Sequence, residues 1–255
     1  MALSLTPLLG IPMIQAGDDL VPILQDGLAR AGIQLENGDV IVLAQKIVSK
    51  AEGRLVNLAT IEPSQRALEM ARQASKDPRL MEVILRESSA VLRVRPGTII
   101  VEHRLGFVCA SAGVDHSNVE SSQGNPEDWV LLLPLDPDAS ARVICDRLGA
   151  ISAKQIGVLI IDSHGRPWRL GTVGISIGIA GMPGLVDLRG KPDLFGFHLQ
   201  ITQVGAADEL AAAASLVMGQ TSEGIPVVHV RGFPYPLREA SLDELFRPKD
   251  QDLFR

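Results

Sequence analysis

Residues 156–161 read IGVLII, and the run ends on Asp162 before the polar string Ser163-His164-Gly165-Arg166-Pro167. Six apolar residues, four of them β-branched, bounded by Gly and Pro, predict a buried strand with a carboxylate at its edge. The turn is expected over residues 163–167. Toward the C-terminus, the alanine-rich residues 206–218 predict a helix closed by Gly219, and residues 226–230 a late strand. Ser241 with Glu244 then signals a small capped helix. Toward the N-terminus, the apolar run 129–133 precedes LPLDPDASA (residues 133–141), whose Asp and Pro residues start a helix ending near Gly149. Residues 39–44 (DVIVLA) read as a second buried strand. Helices are expected over 63–75 and 78–87, β-prone runs at 90–94, 98–102 and 107–109, and a polar loop over 113–128. Asp18 or Asp19 caps a first helix with Leu20, Leu24, Leu28 and Ala31 on one face, stopped by Gly32. These elements alternate too irregularly for a barrel or Rossmann fold. The expected class is α+β, with mixed sheets and flanking helices. The chain is treated as one unit, residues 1–255, with no internal boundary marked in the sequence; two intertwined subdomains also fit its length.

At 46% hydrophobic and 21% charged residues the chain can build a core and lies far from the composition of disorder. A formal net charge of -6, with no Lys/Arg block, argues against nucleic acid, because phosphate neutralisation needs clustered cations. Cys109 and Cys145 both sit in apolar surroundings, which predicts buried, reduced thiols and no zinc site. The opening MALSLTPLLGIP lacks a cationic segment before its apolar residues, and the most apolar stretch, residues 172–186, is interrupted by Gly174, Gly178, Gly181, Pro183 and Gly184. A membrane-spanning helix needs about 20 apolar residues. The expectation is a cytoplasmic protein with no membrane segment.

GxxxxGK[ST], GxGxxG, HExxH and paired CxxC are all absent, which removes the P-loop, dinucleotide-binding and metalloprotease signatures. Five loops remain in which glycine, acid, amide and cation lie together: GIPMIQAGDD, QKIVSKAEGR, GVDHSNVE, DSHGRPWRLG and MGQTSEGIP. Asp115, Asn118, Asp162, Ser163, Gln220 and Glu223 offer oxygen to a hard divalent cation such as magnesium or manganese. Lys46, Lys50, Arg54, Arg166 and Arg169 stand near glycines, where backbone N–H groups and side-chain charge suit a polyphosphate. Together they suggest a metal–nucleotide site. The plainer alternative is a set of turn formers and solvated charges.

The strings GIPMIQAGDDL, KIVSKAEGR, VDHSN, LPLDPDASA, DSHGRPWRLGTVGISIGIAG and AADELAAAASLVMGQTSEGIPVV closely resemble the coenzyme F420-0:L-glutamate ligases. They occur in order from Gly10 to Gly232, which is far more specific than any one of them. That family also occurs fused to a nitroreductase-like domain; with Arg255 as the last residue, the stand-alone form is expected. The resemblance implies that Gly10, Ile11, Pro12 and Met13 lie against the guanine nucleotide, with Gln45, Lys50, Asn118 and Ser222 as further nucleotide contacts. It makes Asp115, Asp162, Ser163 and Gln220 metal ligands, Ser163 replacing a threonine. Lys46, Arg54, Arg166, Arg169 and Glu223 are added phosphate or substrate candidates. His116 and His164 are read as solvated or loop-bracing, not as ligands.

By the same resemblance, GTP is co-substrate, two Mg2+ or Mn2+ ions are cofactors with K+ as a further candidate, and the chain forms a homodimer. GTP phosphorylates the terminal carboxylate of F420-0, and the amine of L-glutamate displaces phosphate to form an amide. No side-chain nucleophile is needed, in keeping with the missing Ser/His/Asp and Cys/His arrangements. Two rival readings share the site: a GTP-dependent ligase or kinase for another small carboxylate, and a GTP-binding protein without turnover. An aromatic content of 4% gives the latter no evident docking stripe.

Overall fold

In the computed structural model, residues 2–118 and 125–252 are described. Part of the predicted polar loop, residues 119–124, lies outside them. The first third of the chain contains β1 (Ser4–Pro7), α1 (Leu20–Arg30), β2 (Val40–Ala44), α2 (Gln45–Ala51), β3 (Leu55–Asn57), α3 (Gln65–Ala74) and α4 (Pro78–Arg86). Next come β4 (Ser88–Arg95), β5 (Thr98–His103), β6 (Val108–Ala110), β7 (Trp129–Leu131) and α5 (Pro137–Ser152). The remainder comprises β8 (Gly157–Arg166), β9 (Arg169–Ala180), β10 (Val186–Asp187), β11 (Gln203–Val204), α6 (Ala206–Met218) and β12 (Val227–Arg231). The class is α+β, as expected.

A five-stranded mixed sheet in the order β1-β12-β2-β8-β9 forms the centre. Only β2 and β8 run parallel; the other neighbours are antiparallel. Val40 to Leu43 and Val158 to Ile160 are wholly buried, which is why both strands read as unbroken apolar runs rather than as alternating ones. β1 and β12 bring opposite ends of the sequence together, Pro7 facing Val228. Because β12 is antiparallel to β1 and β2, and β8 is parallel to β2, one end of this sheet collects four features. These are the ends of β1 and β2, the outer part of β8 and the start of β12. Smaller sheets, β4-β5-β6 and β3-β7, extend the molecule, and β10-β11 forms a separate arm.

β9 is an edge strand, two of whose N–H groups are taken up by acids from two helix starts. Asp208 accepts from Ser176 N at 2.9 Å and Asp138 from Ile179 N at 2.7 Å. The register irregularity between Ile160 and Ile161 moves the outward position from one parity to the other. This satisfies two N–H groups of the inner part of that edge without a further strand.

Local signals fixed several boundaries. Asp19 caps α1 by accepting from Val21 N, Ser64 caps α3 and Asp136 caps α5. Asp18 instead accepts from Gln15 N. Four expectations need correction. The turn expected over 163–167 is mostly strand: β8 continues to Arg166 because β9 pairs with it, and the chain reverses only at Pro167 and Trp168. The expected loop at QKIVSKAEGR begins with the helix α2. The helix expected to end near Gly149 runs on to Ser152, with Ala153 left-handed. Ser241 makes no side-chain cap; Glu244 accepts from Gly184 N and Leu185 N and pairs with Arg238 instead.

Candidate active site

Of the predicted segments, the one after β1 is shaped by its glycine. Gly10 adopts φ +72°, and its carbonyl accepts from Arg30 at 3.0 Å. Ile11 packs on α1 at Gly27, while Pro12 and Met13 are exposed. Leu8 N donates to Val227 O, which ties this segment to the start of β12 and so to the MGQTSEGIP loop.

After β2, α2 carries Lys46 and Lys50 one turn apart on one face. Lys46 Nζ lies 2.7 Å from Asp115 Oδ2 and donates to Ser117 O at 2.9 Å and to the Ser117 hydroxyl. Asp115 in turn accepts from Ser117 N at 2.8 Å. Burial pushes the Asp115 carboxyl up, but the hydrogen bonds from Lys46 and Ser117 outweigh it and hold the group below its ordinary range. It is an anion near neutral pH. Gln45, by contrast, is buried and accepts from the Ser49 hydroxyl at 2.8 Å.

Two long-range hydrogen bonds join the other predicted segments. Asn118, left-handed at φ +55°, donates to Thr221 O at 3.2 Å. Ser163 Oγ donates to Gln220 Oε1 at 2.9 Å, and Gln220 Nε2 donates to Ser215 Oγ of α6. Four segments distant in sequence, at 46–50, 115–118, 163 and 220–221, therefore touch in a continuous series at one end of the central sheet. Ser222 is exposed in the last of them. Glu223 folds back on its own loop, accepting from Thr221 N at 2.8 Å, and this hydrogen bond holds its carboxyl below the ordinary range.

Not every predicted cation joins this group. Arg54 donates to Leu133 O and pairs with the buried Glu87 at 2.9 Å, which commits it to packing. Arg166 donates to Leu170 O near the end of the β8–β9 hairpin, and Arg169 is exposed there. At about 3.3 Å per residue the strand carries Arg166 roughly 13 Å past Asp162.

Asp162 and Ser163 are successive strand residues, so their side chains point to opposite faces of β8. Ser163 meets Gln220, whereas Asp162 meets His164, whose Nε2 is 2.9 Å from Asp162 Oδ2. His164 is buried, not solvated, and its ring packs on Phe107, which stacks on His103. Burial, with Arg104 and Arg54 adding to it, pushes His103 down to about 4, so it is neutral. His116 is exposed, its Nδ1 3.2 Å from Trp129 O, a loop brace as expected. Burial first and the Asp162 charge second push the Cys109 thiol up to about 12. Burial likewise pushes the half-buried Cys145 up to about 11. Neither thiol is a nucleophile at neutral pH.

The donors suit a hard cation. Asp115, Asp162, Ser163 and Gln220 offer only oxygen, and the Lys46 ammonium on Asp115 shows that a cation is already accommodated there. Among the described residues no group of three His, Cys, Asp or Glu side chains converges to hold a metal ion. Such a site fits magnesium, which uses one or two carboxylates and completes its shell with water and phosphate oxygen. Sequence reasoning missed Ser117, Thr221, Ser215 and His164. His164 was recoverable: a strand extended through residue 164 puts it on the same face as Asp162.

Among the described residues no helix is long and apolar enough to cross a membrane. Residues 9–232 match the family described as F420-0:Gamma-glutamyl ligase. The chain is 46% identical over 257 residues to the Coenzyme F420:L-glutamate ligase of Methanothermobacter thermautotrophicus, covering all of both chains. The Methanopyrus kandleri protein of that name is 45% identical over 246 residues, 95% of this chain and 93% of the other. The Archaeoglobus fulgidus protein of that name is 39% identical over 255 residues, 100% of this chain and 97% of the other.

Proposed function

The chain belongs to the F420-0:gamma-glutamyl ligase family, and on that premise we propose that its site couples GTP cleavage to ligation of L-glutamate with F420-0. It is a ligase of coenzyme F420 biosynthesis. The observation that carries the GTP reading is the series of contacts from Lys46 through Asp115, and from Asn118 through Thr221 to Gln220 and Ser163. A ligase must activate a carboxylate, a poor electrophile. In this reading the γ-phosphoryl group of GTP passes to a carboxylate oxygen of F420-0 and GDP leaves. The glutamate amine then forms the C–N bond, and phosphate departs as the amine loses its proton.

Asp115, Asp162, Ser163 and Gln220 are the residues that would hold two divalent ions. A bound magnesium or manganese ion spreads the charge of the polyphosphate during transfer. Lys46, now paired with Asp115, would offer its ammonium to phosphate oxygens were an ion held there instead, and Lys50 would extend the same cationic face. The segment Gly10 to Met13 and Asn118 flank the nucleotide, with Ser222 beside them. In this reading the reaction, with its GTP co-substrate, is a cytoplasmic one.

Incubation with GTP, Mg2+, F420-0 and hydroxylamine, without glutamate, is expected to give GDP and the F420-0 hydroxamate in equal amounts. ATP is expected to give far less. Oxygen-18 in the F420-0 carboxylate should appear in released phosphate, and its absence there would sink the acyl-phosphate route.

The chain also acts, in this reading, as a homodimer. Leu194 and Phe195 on the β10–β11 arm are 97% and 94% exposed, and Trp168 and Leu170 at the β8–β9 tip are 89% and 98% exposed. Large apolar side chains so exposed on two hairpins suit an association surface. Sedimentation should give twice the monomer mass, shifting to monomer with Leu194→Ser and Phe195→Ser together; a wild-type monomer at micromolar concentration would exclude the dimer.

A further inference from the structure

We propose that His164 is a positioning residue that fixes the Asp162 carboxylate for cation binding; this rests on the reading of Asp162 as a cation ligand. The two residues stand two apart on β8 and so share a face. A carboxylate oxygen accepts, so the ring nitrogen that faces it is the one bearing hydrogen: Nε2–H donates to Asp162 Oδ2 across 2.9 Å. This engages one carboxylate oxygen and leaves the other for a cation. The imidazole itself is held: it is 7% exposed, and its ring lies 5.4 Å from that of Phe107, tilted by 55°. Phe107 is braced in turn by the parallel ring of His103 at 5.2 Å.

The other ring nitrogen supports a role beyond packing. His164 Nδ1 is buried and has no hydrogen-bond partner among the described residues. An orphaned buried polar atom costs stability, and a Leu or Phe side chain would fill the same space without one. The imidazole is accounted for by what its Nε2–H does for Asp162. Hydrogen bonds of this kind fix a ligand's rotamer before the ion arrives, so that ordering is not charged against binding.

The test is Mn2+ binding to the full chain in the presence of GDP, read by electron paramagnetic resonance of the unbound ion. His164→Leu is expected to weaken Mn2+ about 10- to 100-fold, the usual effect of losing such a supporting contact. His164→Gln, whose amide N–H reaches the Nε2 position, should recover most of the affinity, whereas the shorter His164→Asn should not. If His164→Leu does not fold, the contrast between Gln and Asn carries the same information. Asp162→Asn is measured in parallel. Loss of affinity in Asp162→Asn with wild-type affinity in His164→Leu overturns the positioning role and leaves Asp162 a ligand. Unchanged affinity in Asp162→Asn removes the ligand and the positioning role together.

Discussion

Asp115→Asn is expected to lower the ligation rate about 100- to 1000-fold with little loss of fold, the scale set by removing one electrostatic group from a phosphoryl-transfer site. The substitution conserves volume. Asn Oδ1 can still accept from Ser117 N, so the local turn survives. What changes is the charge. Its amide nitrogen would point at Lys46 Nζ, which now lies 2.7 Å from Asp115 Oδ2, and a donor would face a donor. Lys46 would swing away, and a divalent ion would lose a carboxylate that the hydrogen bonds from Lys46 and Ser117 otherwise keep ionised against its burial. Initial rates with saturating GTP and F420-0, taken across a magnesium titration, would show the loss, and a thermal melt would show that folding is intact. A rate equal to wild type at limiting magnesium would take Asp115 out of the site.

Gly178→Val should destabilise the protein by about 3 kcal/mol or more, the upper range for forcing volume into a packed core. A Cβ at Gly178 would lie 2.6 Å from the Pro137 carbonyl carbon and oxygen, which are backbone atoms of the first turn of α5 and cannot rotate aside. That turn also holds Asp138 on Ile179 N. Moving it would free an edge N–H of β9 as well as open the helix–sheet contact. Gly165→Ala is the control: a Cβ there meets nothing within 4 Å, so a change within about 0.5 kcal/mol is expected. Urea denaturation of both variants gives the comparison. A Gly178→Val midpoint equal to wild type would contradict the close approach of α5 to β9.

Much of this was legible in the residues alone. The apolar runs of β2 and β8, the alanine-rich α6 and the Asp or Ser caps of α1, α3 and α5 are each specified within a window of a few residues. There, periodicity and capping chemistry act on neighbours in sequence. The oxygen and cation content of the five loops was legible for the same reason, because residue type is local information. Tertiary structure decided which of those groups meet. Ser163 reaches Gln220 across 57 positions and Asn118 reaches Thr221 across 103, and both contacts depend on where strands from distant parts of the chain align. The same pairing overrode local preference: β9 draws Ser163 to Arg166 into a strand that turn propensity had marked as a loop, and that extension buries His164 beside Asp162. Arg54, chemically as fit for phosphate as Lys46, is instead committed to Glu87. A sequence window contains each side chain's chemistry but not its partner, and the partner is fixed only when the register of the sheet is.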